Sequence, residues 1–224
     1  KFLNNPLLVG LNTERLAATA VRLRRSRDAL EHYERQWLAK AVSVKDEGYI
    51  VLRRDQLETE PEEIILRGLA SVCRFFNDSG YVPRMEKLQR LKSMLFNQNF
   101  RGHTLYGAQF SCVEPDKILV SRELSAVEGQ KSLKESAIWD NRFAIRAKGA
   151  ISGLKIGALE SAGWTKLKSV MPDFEQIDMP RLAGLGLPAI YDGAELKAVP
   201  HLGYDTLAGL EIELSLKTDI LTKK

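Results

Sequence analysis

Residue types able to do covalent chemistry are few and scattered in this sequence. His32, His103 and His201 stand far apart, and none belongs to an H-E-x-x-H pair that sets two imidazoles on one helix face. Each reads first as a surface or core histidine. Two cysteines, Cys73 and Cys112, are too few for a four-thiolate zinc site or a disulfide framework in 224 residues. Reduced thiols in the cytoplasm are the expectation. Cys73 follows Val72 and precedes Phe75, and Cys112 alternates with Phe110, so both read as small hydrophobes. A nucleophilic thiol needs a base at hand, and the sequence offers none close by. Glu60, Glu62 and Glu63 follow Thr59, where the positive end of a helix dipole explains them without acid–base work. Gly129-Gln-Lys-Ser132 lacks the Gly-Lys pair and the upstream glycine of a phosphate loop. Gly153-Leu-Lys-Ile-Gly157 and Gly184-Leu-Gly186 are wrongly spaced for a dinucleotide fingerprint. No active site is legible, and no cofactor or metal is expected in this stretch.

What the sequence does concentrate is positive charge. The net charge is +4, yet residues 15–45 hold eight basic and three acidic side chains. Residues 79–103 hold five basic ones, Arg84, Lys87, Arg90, Lys92 and Arg101, against Glu86 alone. Residues 53–78 between them are net negative, four basic against six acidic. Two basic stretches split by an acidic one suit an anionic partner such as nucleic acid; solvated helix faces are the ordinary alternative.

These side chains must be positioned by elements, and the composition allows a real core. Hydrophobic residues make up 44% and charged residues 28%, the balance of a globular protein rather than a disordered or fibrous one. The apolar runs, residues 6–11 among them, fall far short of the roughly 18–20 residues a membrane span needs. No signal-peptide pattern is present, and the chain opens at Lys1 on an amphipathic pattern, as a piece of something longer would.

Periodicity predicts a helix over 13–44, with Asn12 or Thr13 as N-cap and Leu16, Ala20, Leu23, Leu30, Trp37, Ala41 and Val44 along one stripe. Arg27 and Glu34 fall on that stripe, so burial must thin or the helix must break there. Residues 49–52 form a short strand or a connector, and Thr59 with Pro61 opens a helix over 61–77. Residues 78–80 break it, and a third helix covers 83–96 with Leu88, Leu91 and Leu95 inward. Beyond Asn97 the period shortens. Strands are expected over 104–113 and 117–122 around a Glu114-Pro-Asp116 turn, then over 139–145, 154–156, 187–191 and 196–199. Residues 124–137 read as a loop, and 158–170 and 180–185 as short helices. The fold class is α+β: a helical subdomain, residues 1–97, followed by a β-rich subdomain with short helices, residues 98–224.

Certain short strings follow one another in a telling order. Gly80-Tyr-Val-Pro-Arg84 leads into Leu88, Leu91 and Leu95, followed by Thr104-Leu-Tyr-Gly107 and Val120-Ser-Arg-Glu123. Trp139-Asp-Asn-Arg-Phe143, Leu187-Pro-Ala-Ile-Tyr-Asp192 and Ala198-Val-Pro-His-Leu-Gly203 come after them. With Leu16-Ala-Ala-Thr-Ala20 and Arg22 at the start, the sequence resembles the C-terminal portion of bacterial tRNA(Ile)-lysidine synthetase over roughly residues 11–204. The resemblance implies a cytoplasmic ATP-dependent ligase that adenylates the wobble cytidine of tRNA(Ile) and lets lysine displace AMP. The family's Ser-Gly-Gly-x-Asp-Ser loop for ATP, with its magnesium, belongs to an N-terminal domain, and no such string occurs here. No catalytic residue is therefore carried over, and the fragment by itself is expected to be inactive.

The role left to this stretch is to grip tRNA(Ile), for which cations must be spaced along a surface. Candidates are Arg22, Arg24 and Arg25 on the first helix and Arg84, Lys87, Arg90, Lys92 and Arg101 around the third. Arg84 sits near a helix start, where free amides also favour phosphate; a cap or a carboxylate partner is its alternative role. Trp139, Arg142 and Phe143 combine flat groups with a cation, as unpaired bases require, though such spacing also suits strand core. The competing reading of the whole is a non-catalytic structural or oligomerisation module.

Overall fold

Asn12 caps the first helix: its side-chain oxygen accepts from the Arg15 amide at 2.8 Å, satisfying an orphan donor of the first turn. The computed structural model describes residues 12–77 and 81–217; residues 6–11 and the expected break at 78–80 lie outside the described residues. Helix α1 (Thr13–Ala41) stops short of Val44, because Val42 and Val44 enter strand β1 (Val42–Val44). There they pair antiparallel with β2 (Ile50–Arg53), a pleat that suits β-branched side chains. Gly48, at φ +78, allows the connecting turn.

Burial along α1 differs from the expectation. Trp37, Leu38 and Ala41 are buried and Leu30 packs beside them, but Leu16 and Leu23 are 41% and 66% exposed. Every residue from 13 to 29 is exposed, a projection of about 26 Å at the helical rise of about 1.5 Å per residue. Glu34, expected to interrupt the stripe, is instead buried and satisfied. It accepts from Ser71 Oγ at 2.5 Å, and Ser71 Oγ accepts from Arg74 Nη2 at 2.6 Å.

A 3-10 turn, Arg54–Glu58, precedes helix α2 (Glu62–Phe76). Thr59 does not cap it; its hydroxyl donates to the Gln56 carbonyl at 3.0 Å, and Glu62 and Glu63 supply the first-turn charge. Helix α3 (Met85–Phe96) buries Leu88, Leu91 and Leu95. The strand expected over 104–113 is a hairpin of β3 (Gly102–Leu105) and β4 (Ala108–Glu114). Tyr106 at φ +57 and Gly107 at φ +76 make the two-residue turn whose twist matches its flanking strands. Glu114-Pro115-Asp116 connects to β5 (Lys117–Arg122), and the antiparallel sheet runs β1-β2-β5-β4-β3. Its strands come from both sides of residue 98, and one core extends from Trp37 through Leu69 and Leu91 to Val120. The change of period at residue 98 is a change of element, and packing continues across it.

The strand expected over 139–145 is likewise a hairpin, β7 (Ser136–Trp139) and β8 (Phe143–Lys148). Asp140 at φ +48 and Asn141 at φ +55 turn it, a conformation their short polar side chains tolerate. Strand β13 (Glu211–Leu216) adds to the other side of β8. Residues 124–137 are not all loop: β6 (Lys131–Ser132) edges a sheet of order β12-β11-β10-β9-β6. The other strands are β9 (Leu154–Ala158), β10 (Pro188–Asp192), β11 (Glu195–Val199) and β12 (Tyr204–Asp205). Helices α4 (Glu160–Val170) and α5 (Arg181–Gly184) complete the α+β fold. Trp139, Phe143, Ile145, Ile156 and Ile190 share one core, while Trp164, Leu167, Phe174 and Leu187 form another beside α4.

Candidate nucleic-acid interface

Helical geometry sorts the predicted cations into groups. On α1, Arg22 and Arg25 are three residues apart and neighbours on one face, whereas Arg24 faces away from Arg22. All three are exposed on the projecting part of the helix. Arg27 differs, its Nε lying 3.4 Å from Glu31.

On α3, Leu88, Leu91 and Leu95 define the inward side. Lys87 and Arg90, three residues apart and both exposed, lie on one flank. Arg84 is the exposed N-cap residue and makes no side-chain cap. Arg90 stands close enough to His103 on β3 to matter electrostatically: burial chiefly, then the Arg90 charge, lowers the His103 pKa. Arg101, also exposed, leads into β3. That strand is an edge of its sheet, so Arg84, Lys87, Arg90 and Arg101 belong to one margin of the fold. Lys92 does not join them. Its ammonium lies 3.2 Å from Glu62 on α2 and 5.9 Å from the Phe96 ring centroid, on the other flank.

Arg142 requires correction as an RNA contact. The residue is 4% exposed, and its Nε donates to Asp140 at 2.7 Å. Nη1 donates to the Gly48 carbonyl at 3.0 Å and Nη2 to that of Gly186 at 3.2 Å. Burial pushes the guanidinium down to about 10, against the opposing pull of Asp140, which leaves it charged at neutral pH. Trp139 and Phe143, both fully buried, stack on each other at 6.2 Å, and Arg142 lies 4.9 Å over the Phe143 ring. The flat groups and the cation form core.

Asp140 is the centre of a buried cluster that the residue pattern did not announce. Besides Arg142 it accepts from Arg122 Nε at 3.1 Å, Arg122 Nη2 at 3.1 Å and the Glu128 amide at 3.0 Å. Arg122 also donates to the Gly107 and Ala126 carbonyls. The cluster thus ties the end of β5, the β1–β2 turn, the β7–β8 turn and the segment before β10. Its signal was present in Val120-Ser-Arg-Glu123 and Trp139-Asp-Asn-Arg-Phe143, two of the strings that carried the family resemblance.

Cys73 is buried and its thiol is pushed up to about 12 by desolvation. Cys112 Sγ accepts from Arg54 Nη2 at 3.6 Å and donates to the Glu114 carbonyl at 3.3 Å. Among the described residues, no group of three or more His, Cys, Asp or Glu side chains is arranged to hold a metal ion. No helix among them is long and apolar enough to cross a membrane.

The fold is of the α+β class, with exposed cations on helices α1 and α3 and a buried ion cluster joining its parts. Within that class the chain is related to part of tRNA(Ile)-lysidine synthase. It is 29% identical over 87% of its length to the tRNA(Ile)-lysidine synthase of Ruegeria pomeroyi, covering 44% of that protein. It is 31% identical over 86% of its length to that of Wolbachia pipientis wMel, also covering 44%. To the synthase of the Wolbachia of Brugia malayi it is 26% identical over 93%, covering 48%. The chain therefore spans a little under half the length of these curated relatives. No protein-family model matches it.

Proposed function

We propose that this chain is the C-terminal, tRNA-gripping part of a tRNA(Ile)-lysidine synthase and performs no chemistry by itself. The whole protein would join lysine to the wobble cytidine of tRNA(Ile) using ATP and magnesium in the cytoplasm. The observation that carries the reading is the partial match: similarity extends over most of this chain but under half of each synthase. The family's ATP-loop string has no counterpart in the sequence, which supports placing nucleotide chemistry in the other half. Exposed Arg84, Lys87, Arg90 and Arg101 on one margin, and Arg22, Arg24 and Arg25 on the projecting helix, supply the positive surface such a grip uses.

A salt titration of binding to unmodified tRNA(Ile), with an unrelated tRNA as competitor, tests this. Salt-sensitive binding supports a grip; preference for tRNA(Ile) adds recognition to it. Absence of binding at low salt refutes it. A second reading, a homo-oligomerisation module, is favoured by Leu16, Ala20 and Leu23, which continue the buried stripe of α1 yet lie exposed. A concentration-dependent mass from sedimentation, abolished by Leu23→Glu, would support it.

A further inference from the structure

The approach to α3 exposes apolar surface beside its cations. Tyr81 is 77%, Val82 53% and Met85 45% exposed, whereas Pro83 between them is buried. Isolated exposed hydrophobes are ordinary, but three within five residues make a patch. The segment is held from beneath: Tyr106, in the β3–β4 turn, donates its hydroxyl to the Tyr81 carbonyl. Buried Pro83 and this anchor fix the backbone while the Tyr81 ring stays in solvent. Arg84, Lys87 and Arg90 follow at three-residue intervals, all exposed and, among the described residues, without an ion pair. Glu86, the single acid between residues 81 and 101, pairs with none of them.

An exposed aromatic held on a fixed backbone next to unpaired cations has the composition of a single-stranded nucleic-acid platform. Every base offers a π-face to stack, and its phosphates need cations alongside. A protein partner would favour an apolar centre depleted of charge, whereas here the cations interleave with the apolar groups. We propose that Tyr81 is a stacking platform for an unpaired nucleotide of bound RNA, with Arg84, Lys87 and Arg90 taking the adjoining phosphates. This deepens the tRNA reading above and rests on it. At the start of α3, charge and a base-sized surface lie within one short segment.

The test uses the 224-residue chain with a fluorescent single-stranded RNA of about eight nucleotides, a duplex of equal length, and tRNA(Ile). Affinities are read by anisotropy for the native chain, Tyr81→Ala and Tyr81→Phe. Because the ring is in solvent, Tyr81→Ala is expected to keep the native unfolding midpoint. The expected result is a loss of about fivefold to a hundredfold for single-stranded RNA in Tyr81→Ala. Tyr81→Phe stays within roughly twofold, and the duplex responds little to either substitution. Equal binding of single-stranded RNA by Tyr81→Ala and the native chain overturns the platform while leaving the tRNA grip standing. Failure of the native chain to bind any of the RNAs at low salt removes the grip and the platform together. Loss of self-association in Tyr81→Ala with unchanged RNA affinity would assign the patch to a second copy of the chain and overturn the proposal.

Discussion

Replacing Asp140 by Ala should be among the most damaging single changes outside the apolar cores. The carboxylate is 2% exposed and accepts from two arginines and a backbone amide. Its removal leaves Arg142, with a 3% exposed side chain, without a counter-ion, and strips Arg122, at 11%, of its carboxylate. Breaking a buried pair by removing one partner costs about 3–5 kcal/mol, because the other charge stays desolvated. That is a large share of the roughly 5–15 kcal/mol that stabilises an ordinary protein. For a chain of this length it corresponds to a fall in melting temperature of about 6–20 °C. Urea unfolding followed by tryptophan fluorescence is the assay, since Trp139 adjoins the cluster. Asp140→Asn should recover only part of the loss, because its amide keeps one acceptor and adds a donor among donors. A loss below about 1 kcal/mol for Asp140→Ala would refute the view that this cluster holds the fold together.

Other substitutions test separate parts. Gly68→Ala would place a methyl carbon 2.1 Å from the Trp37 ring, so the α1–α2 packing should lose about 1–3 kcal/mol in denaturant unfolding. Burial lowers the His201 pKa from its ordinary 6.5 and outweighs the nearby Glu47, so the folded state binds that proton less tightly than the unfolded chain. Its contribution is full above 6.5 and is lost as pH falls towards the folded value; His201→Gln should flatten that part of a stability–pH profile, and an unchanged profile would count against it. A thiol reagent should label Cys112 in the native protein and reach Cys73 only on unfolding, because Cys73 is fully buried. Equal labelling rates would contradict the described packing.

Much of the architecture was legible in the sequence where one periodicity ran long enough. Helices α2 and α3 announced themselves through Ile64, Ile65 and Leu69 and through Leu88, Leu91 and Leu95, all of them buried. The same reasoning misjudged the first half of α1, since a stripe such as Leu16, Ala20 and Leu23 reports an amphipathic helix but not what covers it. Both missed hairpins lay inside stretches read as single strands, where Tyr106-Gly107 and Asp140-Asn141 supply the left-handed residues and the flanking strand formers mask them. Strand β13 was missed because Glu211, Glu213 and Ser215 alternate with half-buried rather than buried side chains, a faint signal. At the candidate interface, composition located the cations of α3 but could not assign their flanks; Lys92 pairs with Glu62, while Arg90 lies on the opposite flank, where its charge is felt at His103. Arg142 was misread because an arginine next to aromatics suits a base or a core equally, and only its carboxylate partner decides between them.

The most direct test of the account compares salt dependences of tRNA(Ile) binding for the native chain, an Arg84→Ala/Lys87→Ala/Arg90→Ala variant and Lys92→Ala. Each phosphate contact removed lowers the log–log salt slope by about one, so the triple variant should lose about two to three units and bind more weakly to every tRNA. Lys92→Ala, whose ammonium is engaged by Glu62, should retain the native slope. Equal slopes for all three proteins would contradict the assignment of the α3 margin as the tRNA grip.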